Sequence, residues 1–105
     1  MSPFIVVLVT CGSEEEAAKI AHSLVENRLA ACVNLVPSIR SIYQWEEKIL
    51  DEKECLMIIK TRRERFEELK EKVKLLHSYS VPEIICFPII NGTSSYLQWL
   101  EKMTQ

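Results

Sequence analysis

The chain has 105 residues, 48% of them hydrophobic, which suits one modest core and predicts a single domain over residues 1–105. Its 13 basic and 15 acidic residues give a net charge of −2, so no general attraction to nucleic acid or to an anionic membrane is expected. The longest apolar run, residues 4–9, is too short to cross a bilayer and follows no signal-peptide pattern, so we expect a cytoplasmic protein without membrane insertion.

The four cysteines are Cys11, Cys32, Cys55 and Cys86. None of them forms a Cys-x-x-Cys pair, so neither a zinc ribbon nor a thioredoxin-type motif is predicted. Cys32, Cys55 and Cys86 lie in apolar, strand-like contexts and are interpreted as small buried hydrophobic residues. Cys11 differs, because it ends its predicted strand next to Gly12.

The chain begins with one predicted strand and one predicted helix. Residues 4–10 are apolar and rich in β-branched side chains, which predicts a buried strand. Ser13, followed three residues later by Glu16, is a capping box that opens a helix running to about residue 28. The apolar residues of this helix lie three and four positions apart, which predicts one buried face.

Residues 31–45 and 48–60 predict the arms of a β-hairpin with its turn at residues 45–48. Pro37 in the first arm predicts a bulge or an edge position. Arms of about 14 residues span about 46 Å, whereas a domain of this length has a diameter of about 33 Å. We therefore expect the hairpin to extend beyond its domain and to pair its free edges with other subunits. The alternative is a bend at Pro37 that keeps the hairpin within the monomer.

The second half of the chain predicts a helix, a strand and a final helix. Residues 61–64 form a second capping box, which opens a helix with apolar residues on one face. Residues 83–90 predict a buried strand that is stopped by Pro88 or by Asn91-Gly92, and a last helix begins at about Ser94. The order βαββαβ with a C-terminal helix predicts an α+β, ferredoxin-like sandwich with an extended hairpin between its second and third strands.

Five blocks of sequence carry a family resemblance: residues 30–34 (AACVN), 41–45 (SIYQW), 60–61 (KT), 77–84 (HSYSVPEI) and 96–99 (YLQW). Through them the chain resembles the CutA divalent-cation-tolerance family over nearly its whole length. The resemblance implies a ferredoxin-like homotrimer held by strand pairing between subunits. It also implies a link to tolerance of copper and other divalent cations, with copper binding proposed for members and anchoring of acetylcholinesterase linked to animal members.

Two positions depart from the family pattern. Glu47 stands where the family usually has glycine in its W-x-G-K turn, which predicts a different turn or backbone strain. Ser78 stands where an H-P-Y segment usually has proline, which predicts a less rigid exit from the second helix.

A metal site is predicted from His77, Glu83 and Cys11. In a ferredoxin-like sheet the first and last strands are antiparallel neighbours, so Cys11 is expected beside Glu83, and the second helix ends at the same edge with His77. Imidazole, carboxylate and thiol together suit copper, or another divalent cation such as zinc, better than magnesium or calcium. The alternative is a structural joint, in which His77 interacts with the end of its helix and Glu83 pairs with a neighbouring cation.

Two functions follow from these patterns. The first is a trimeric protein that binds copper and contributes to metal tolerance. The second is a signalling or anchoring trimer that binds a small ligand or a protein partner in clefts between subunits. An enzyme is the least expected, because the sequence has no nucleophile with a paired base, no glycine-rich phosphate loop and no motif for an organic cofactor. Aromatic residues that could line such clefts are Tyr43, Trp45, Tyr79, Tyr96 and Trp99.

Overall fold

The computed structural model describes residues 2–105. Its strands and α-helices are β1 (Phe4–Cys11), α1 (Glu14–Glu26), β2 (Cys32–Trp45), β3 (Lys48–Arg62), α2 (Phe66–Leu76), β4 (Ile84–Pro88) and α3 (Ser94–Met103). The strands form one antiparallel sheet in the order β2-β3-β1-β4. This arrangement confirms the predicted α+β, ferredoxin-like sandwich with an additional C-terminal helix.

One face of the sheet carries the core. Alternate residues of β1, including Val7 and Val9, are fully buried, and on β3 Met57 and Ile59 are buried on the same face. Helices α1 and α2 cover this face, with the residues Ala17, Ile20, Leu24, Leu69 and Val73 in contact with the strands. Because successive strand residues point to opposite faces, this alternation fixes the register of β1 against β3.

The β2–β3 hairpin is long and extends beyond the rest of the domain. Its pairing runs from Cys32 opposite Lys60 to Trp45 opposite Lys48, with a bulge between Val36 and Ile39 where Pro37 was expected to cause one. The molecule measures 45 × 25 × 22 Å, so its long axis exceeds the other two almost twofold. The predicted extended hairpin is therefore confirmed.

The hairpin turn places two glutamates in the left-handed backbone region. Glu46 has a φ of 50° and Glu47 a φ of 67°. Positive φ at both central residues is typical of the type I′ turn that suits two-residue hairpins, and asparagine and glycine are the usual residues there. Glu47 therefore occupies a turn position at which a side chain causes strain.

Three sequence-based expectations differ from the structure. The capping box at residues 61–64 is wrong, because Thr61 is the buried penultimate residue of β3 and its hydroxyl donates to the carbonyl oxygen of Leu29 at 2.7 Å. A 3-10 turn, Arg63–Arg65, leads into α2 instead. The fourth strand ends at Pro88, the earlier of its two predicted stops, but the prediction that it is buried is wrong, because four of its five residues are exposed. Cys86 is exposed and Cys32 only half-buried, so burial was predicted correctly for Cys55 alone.

Candidate functional site

Three separate elements bring Cys11, Glu16 and His77 together. Cys11 ends β1, Glu16 lies in the first turn of α1, and His77 directly follows α2. One donor atom from each, the thiol sulfur, a carboxylate oxygen and a ring nitrogen, lie within 4.8 Å of one another. We call these three residues the thiol–carboxylate–imidazole cluster.

His77 is held by hydrogen bonds at both ring nitrogens. Its Nδ1 accepts from the backbone N–H of Tyr79 at 3.0 Å, which requires an unprotonated Nδ1. Its Nε2 then carries the hydrogen and donates to the carbonyl oxygen of Thr10 at 2.7 Å. The imidazole is therefore neutral in this arrangement, and it must release one of these bonds before a nitrogen can bind a cation.

Glu16 connects the start of α1 to the segment that follows α2. The hydroxyl of Ser13 accepts from the backbone N–H of Glu16 at 3.1 Å, as the predicted cap requires. The carboxylate of Glu16 does not complete the capping box, because it accepts from the backbone N–H of Ser78 at 2.7 Å. The first turn of α1 thus contributes a negative charge next to His77.

Cys11 is fully buried, and its thiol lies 3.6 Å from the sulfur of Met57. Burial, followed by the negative charge of Glu16 and smaller contributions from Cys55 and Glu54, raises the pKa of the Cys11 thiol to about 12. The thiol is consequently protonated at neutral pH, so a cation that binds the sulfur has to displace a proton.

Glu83 lies in a separate feature, a cleft of about 740 Å³ between the outer half of the hairpin and the segment that follows α2. The cleft has three carboxylates and three aromatic rings among its lining residues. They are Glu52, Glu54, Glu83, Tyr43, Trp45 and Tyr79. We call this feature the acidic cleft.

Phenol groups contact two of the cleft carboxylates. Tyr79 donates to Glu54 at 2.8 Å, and Tyr43 donates to Glu52 at 2.5 Å. The bond to Glu52 is the main cause that raises the pKa of Tyr43 to about 12. Burial, followed by the bond to Glu54, raises the pKa of Tyr79. Both phenols therefore keep their protons and act as donors at neutral pH.

The structure brings two of the three predicted metal ligands together. Cys11 and His77 share the cluster, whereas Glu83 lies in the acidic cleft. Sequence reasoning did not select Glu16, although its place in the first helical turn after β1 puts it near the end of that strand. It also did not select Glu54, which directly precedes the apolar stretch 55–59 of β3 and is only 7% exposed.

The fold and the cluster define a small α+β protein that carries sulfur, nitrogen and oxygen donors at the C-terminal end of β1, an inner strand of its sheet. The sequence pattern of the family described as "CutA1 divalent ion tolerance protein" matches residues 5–103. The chain belongs to this family. Among residues 2–105, no helix combines the length and the apolar character that crossing a membrane requires.

Relatives from bacteria, plants and animals are similar over most of this chain. A protein named "Divalent-cation tolerance protein CutA" from Thermus thermophilus is 52% identical over 99 residues, which cover 94% of this chain and 96% of that protein. "Protein CutA" from Homo sapiens is 46% identical over 97 residues, covering 92% of this chain and 54% of that protein. The chain thus spans almost the whole bacterial relative but about half of the human one.

Solved structures agree with the fold. A divalent cation tolerance protein from Thermus thermophilus has a TM-score of 0.94 at 50% identity, covering 97% of this chain and 99% of its own. CutA1 from Oryza sativa has a TM-score of 0.96 at 46% identity, and the match covers 99% of this chain and 95% of the CutA1 chain. The extended hairpin and the short fourth strand therefore belong to an architecture found in several CutA1 structures.

Proposed function

We propose that the protein binds copper, or another divalent cation such as zinc, and thereby contributes to divalent-cation tolerance without catalysing a reaction. The observation that carries this proposal is the approach of sulfur, oxygen and nitrogen donors from Cys11, Glu16 and His77 to within 4.8 Å of one another. A soft sulfur with an imidazole suits copper or zinc and does not suit magnesium or calcium. Membership of a family named for divalent ion tolerance supports the same function.

Each residue of the cluster has a distinct part in the proposed binding. Cys11 supplies a thiolate after losing its proton, and Glu16 supplies a negative charge next to that sulfur. His77 supplies a ring nitrogen after releasing either the Thr10 carbonyl or the Tyr79 N–H. Because a proton and a hydrogen bond are exchanged for the ion, binding is expected to be proton-coupled and weaker than at a preformed site.

The carboxylate ligand has two candidates. We assign it to Glu16, because Glu16 shares the cluster with Cys11 and His77. Glu83, which the sequence suggested for this role, lies in the acidic cleft and enters the experiment as the second candidate.

Equilibrium dialysis of chelator-stripped protein against Cu(II), against Cu(I) with a reductant, and against Zn(II) tests the proposal. The variants Cys11→Ser, Glu16→Gln and His77→Gln are expected to lose uptake of at least one of these ions, whereas Glu83→Gln is expected to retain it. The matched controls are Cys86→Ser and His22→Gln, which remove exposed residues of the same types outside the cluster. Uptake that is equal in all variants contradicts the assignment, and loss in Glu83→Gln alone transfers the carboxylate to Glu83.

We also propose that the protein forms a homotrimer through β-strand pairing between subunits. The outer edges of β2 and β4 have no partner strand within residues 2–105. Apolar side chains near these edges are exposed, among them Ile42 (63%), Ile49 (70%) and Ile85 (52%). Such edges and patches are normally covered by another chain. Sedimentation equilibrium is expected to give three chains, and a monomer contradicts the proposal.

A second candidate function is non-catalytic binding of a ligand or protein partner, in signalling or anchoring. The acidic cleft favours it, because a concave site with aromatic walls and a few polar groups is typical of ligand sites.

The proposed location is the cytoplasm, although relatives are named chloroplastic and periplasmic. Fractionation of cells that express the tagged protein tests the location, and recovery outside the cytoplasm contradicts it.

A further inference from the structure

Three sulfur-containing side chains lie together in the core, next to the thiol–carboxylate–imidazole cluster. Cys11 of β1 stands directly opposite Cys55 in the register of β1 against β3, and Met57 follows Cys55 by two residues on β3. Opposite residues of an antiparallel pair, and residues two apart on one strand, have their side chains on the same face of the sheet. All three therefore point into the core, where each is at most 1% exposed. We call Cys11, Cys55 and Met57 the sulfur triad.

The sulfur atoms of the triad are close enough to share one ion. The thiol sulfur of Cys11 lies 3.6 Å from the thioether sulfur of Met57. An ion with metal–sulfur bonds of about 2.3 Å holds two sulfurs about 4 Å apart in a trigonal arrangement, so this pair needs little movement to bind an ion. The β-carbons of directly opposite residues are about 4.5–5.5 Å apart, which places the Cys55 thiol within reach of the same ion. Cys55 is also near enough for its charge to contribute to the raised pKa of Cys11.

The composition of the sulfur triad selects one ion. Thiolate and thioether ligands favour Cu(I), zinc and iron–sulfur clusters over the hard ions magnesium and calcium. Structural zinc takes four ligands from thiolates, imidazoles and carboxylates, and iron–sulfur clusters are typically held by four cysteines. Two thiols and one thioether meet neither requirement. Cu(I) is therefore the soft ion that matches the triad.

We propose that the protein binds Cu(I) through the sulfur triad, with the thiolates of Cys11 and Cys55 and the thioether of Met57 as ligands. This inference rests on the proposed function, because Cys11 belongs to both the triad and the thiol–carboxylate–imidazole cluster. The nitrogen and oxygen donors of the cluster suit Cu(II) or zinc, so the two donor sets separate ions by their softness. The copper stays Cu(I) on binding, and each cysteine thiol that becomes a ligand releases one proton to the solvent.

Cys11 connects the buried triad to the protein surface. The carboxylate of Glu16, a residue that is only partly buried, lies within 4.8 Å of the Cys11 sulfur. Its negative charge attracts a cation to this position. An ion therefore reaches the Cys11 thiol from the side of Glu16, and from there it contacts Cys55 and Met57 on the same face of the sheet.

X-ray absorption spectroscopy at the copper edge tests the ligand set directly. Chelator-stripped protein is loaded without oxygen, in ascorbate, with one equivalent of Cu(I) per chain as its acetonitrile complex. The expected first shell contains only sulfur at about 2.3 Å and lacks the multiple scattering of a bound imidazole. A first shell of nitrogen or oxygen, or scattering from an imidazole, overturns the proposal, because the Cu(I) ion would then lie in the thiol–carboxylate–imidazole cluster.

Two variants remove triad ligands that the cluster does not use. Met57→Leu removes the thioether at nearly constant volume, and Cys55→Ala removes the second thiol. Competition with bicinchoninate, a chelator of Cu(I), is expected to show at least about tenfold weaker binding in each, since even the loss of a group next to a metal ligand has an effect of that size. Met57→Leu carries the test alone if Cys55→Ala does not fold. Met103→Leu and Cys86→Ala make the same exchanges outside the triad and are the matched controls. Unchanged Cu(I) affinity in a folded triad variant, or equal weakening in the controls, overturns the proposal.

Zinc and Cu(II) uptake by the same proteins distinguishes this proposal from the proposed function. Met57→Leu and Cys55→Ala keep all three residues of the cluster, so they are expected to retain the uptake of zinc or Cu(II) that the native protein shows. Retained uptake together with unchanged Cu(I) affinity overturns the triad alone. Cu(I) binding that depends on Met57, in a protein that takes up neither zinc nor Cu(II), supports the triad and contradicts the cluster.

Discussion

The imidazole of His77 joins the end of β1 to the segment before β4, because its Nε2 donates to the carbonyl oxygen of Thr10 at 2.7 Å. The same ring accepts from the backbone N–H of Tyr79 at 3.0 Å. His77 therefore satisfies two backbone groups that are far apart in the sequence. This structural role of His77 is compatible with cation binding, since releasing one of the two hydrogen bonds is enough to free a ring nitrogen.

Replacing His77 with alanine is expected to lower the free energy of unfolding by about 1–3 kcal/mol, because a buried carbonyl and an N–H lose their partner. Urea denaturation, monitored by circular dichroism, measures the change. The control His22→Ala removes an exposed histidine of α1 and is expected to change stability by no more than about 0.5 kcal/mol. If His77→Ala is as stable as the native protein, the structural role of the His77 hydrogen bonds is contradicted.

Replacing Glu47 with glycine is expected to stabilise the protein by about 1 kcal/mol. Glu47 has a φ of 67°, a conformation that costs a residue with a side chain about 1–2 kcal/mol and costs glycine little. The melting temperature measures the effect. In contrast, Glu101→Gly within α3 is expected to destabilise by about 1 kcal/mol, because glycine is unfavourable in a helix. A lower melting temperature for Glu47→Gly contradicts the assigned turn.

The pair of Tyr43 and Glu52 predicts a loss of stability at alkaline pH. The folded protein raises the pKa of Tyr43 from its ordinary value of 10.0 to about 12. The folded state therefore holds this proton more tightly than the unfolded chain does. The resulting stabilisation is complete below pH 10.0 and is lost as the pH rises from there to about 12.

Carbon-13 resonances of the tyrosine rings measure this titration, with Tyr43→Phe identifying the signal. Glu52→Gln is expected to bring the pKa of Tyr43 back towards 10.0, because it removes the charged acceptor that causes the shift. The adjacent Asp51→Asn exchange removes a charge that is paired with Arg40 and is expected to leave that pKa unchanged. An unaltered pKa in Glu52→Gln is the result that would refute the assignment.

Cys11 is expected to resist alkylation by iodoacetamide in the folded protein. Alkylation needs the thiolate, and burial together with the charge of Glu16 raises the pKa of this thiol to about 12. Peptide mass mapping after a timed reaction measures the modified fraction. The urea-unfolded chain is the control, in which Cys11 should react fully. Rapid modification of Cys11 in the native state would show that the thiol is accessible and ionised.

The sequence predicted the architecture well because hydrophobic periodicity and turn residues act locally. The apolar, β-branched run of β1, the spacing of apolar residues in α1 and the break at Pro37 each determine a nearby feature. The capping box at Thr61 failed for a non-local reason, since the Leu29 carbonyl binds the hydroxyl that a cap would use. The strand continues through Thr61 because that residue pairs with Ile5 of β1.

The candidate site could be predicted only in part. The adjacency of β1 and β4 follows from the fold, so the approach of His77 to Cys11 could be inferred from strand order. Glu83 directly precedes β4, so the side of the sheet to which it points depends on the strand register, and a shift of one residue reverses it. The acidic cleft was not predicted because it combines residues of the hairpin with residues 79–83, which lie between α2 and β4, and no short stretch of sequence contains both.

Native mass spectrometry of the chelator-stripped protein, before and after addition of one equivalent of copper per chain, tests the central claim most directly. A trimer that takes up three copper ions, and that remains a trimer without uptake in Cys11→Ser and His77→Gln, is the predicted result. A trimer that stays free of copper, or one that loads equally in both variants, contradicts copper binding by the cluster.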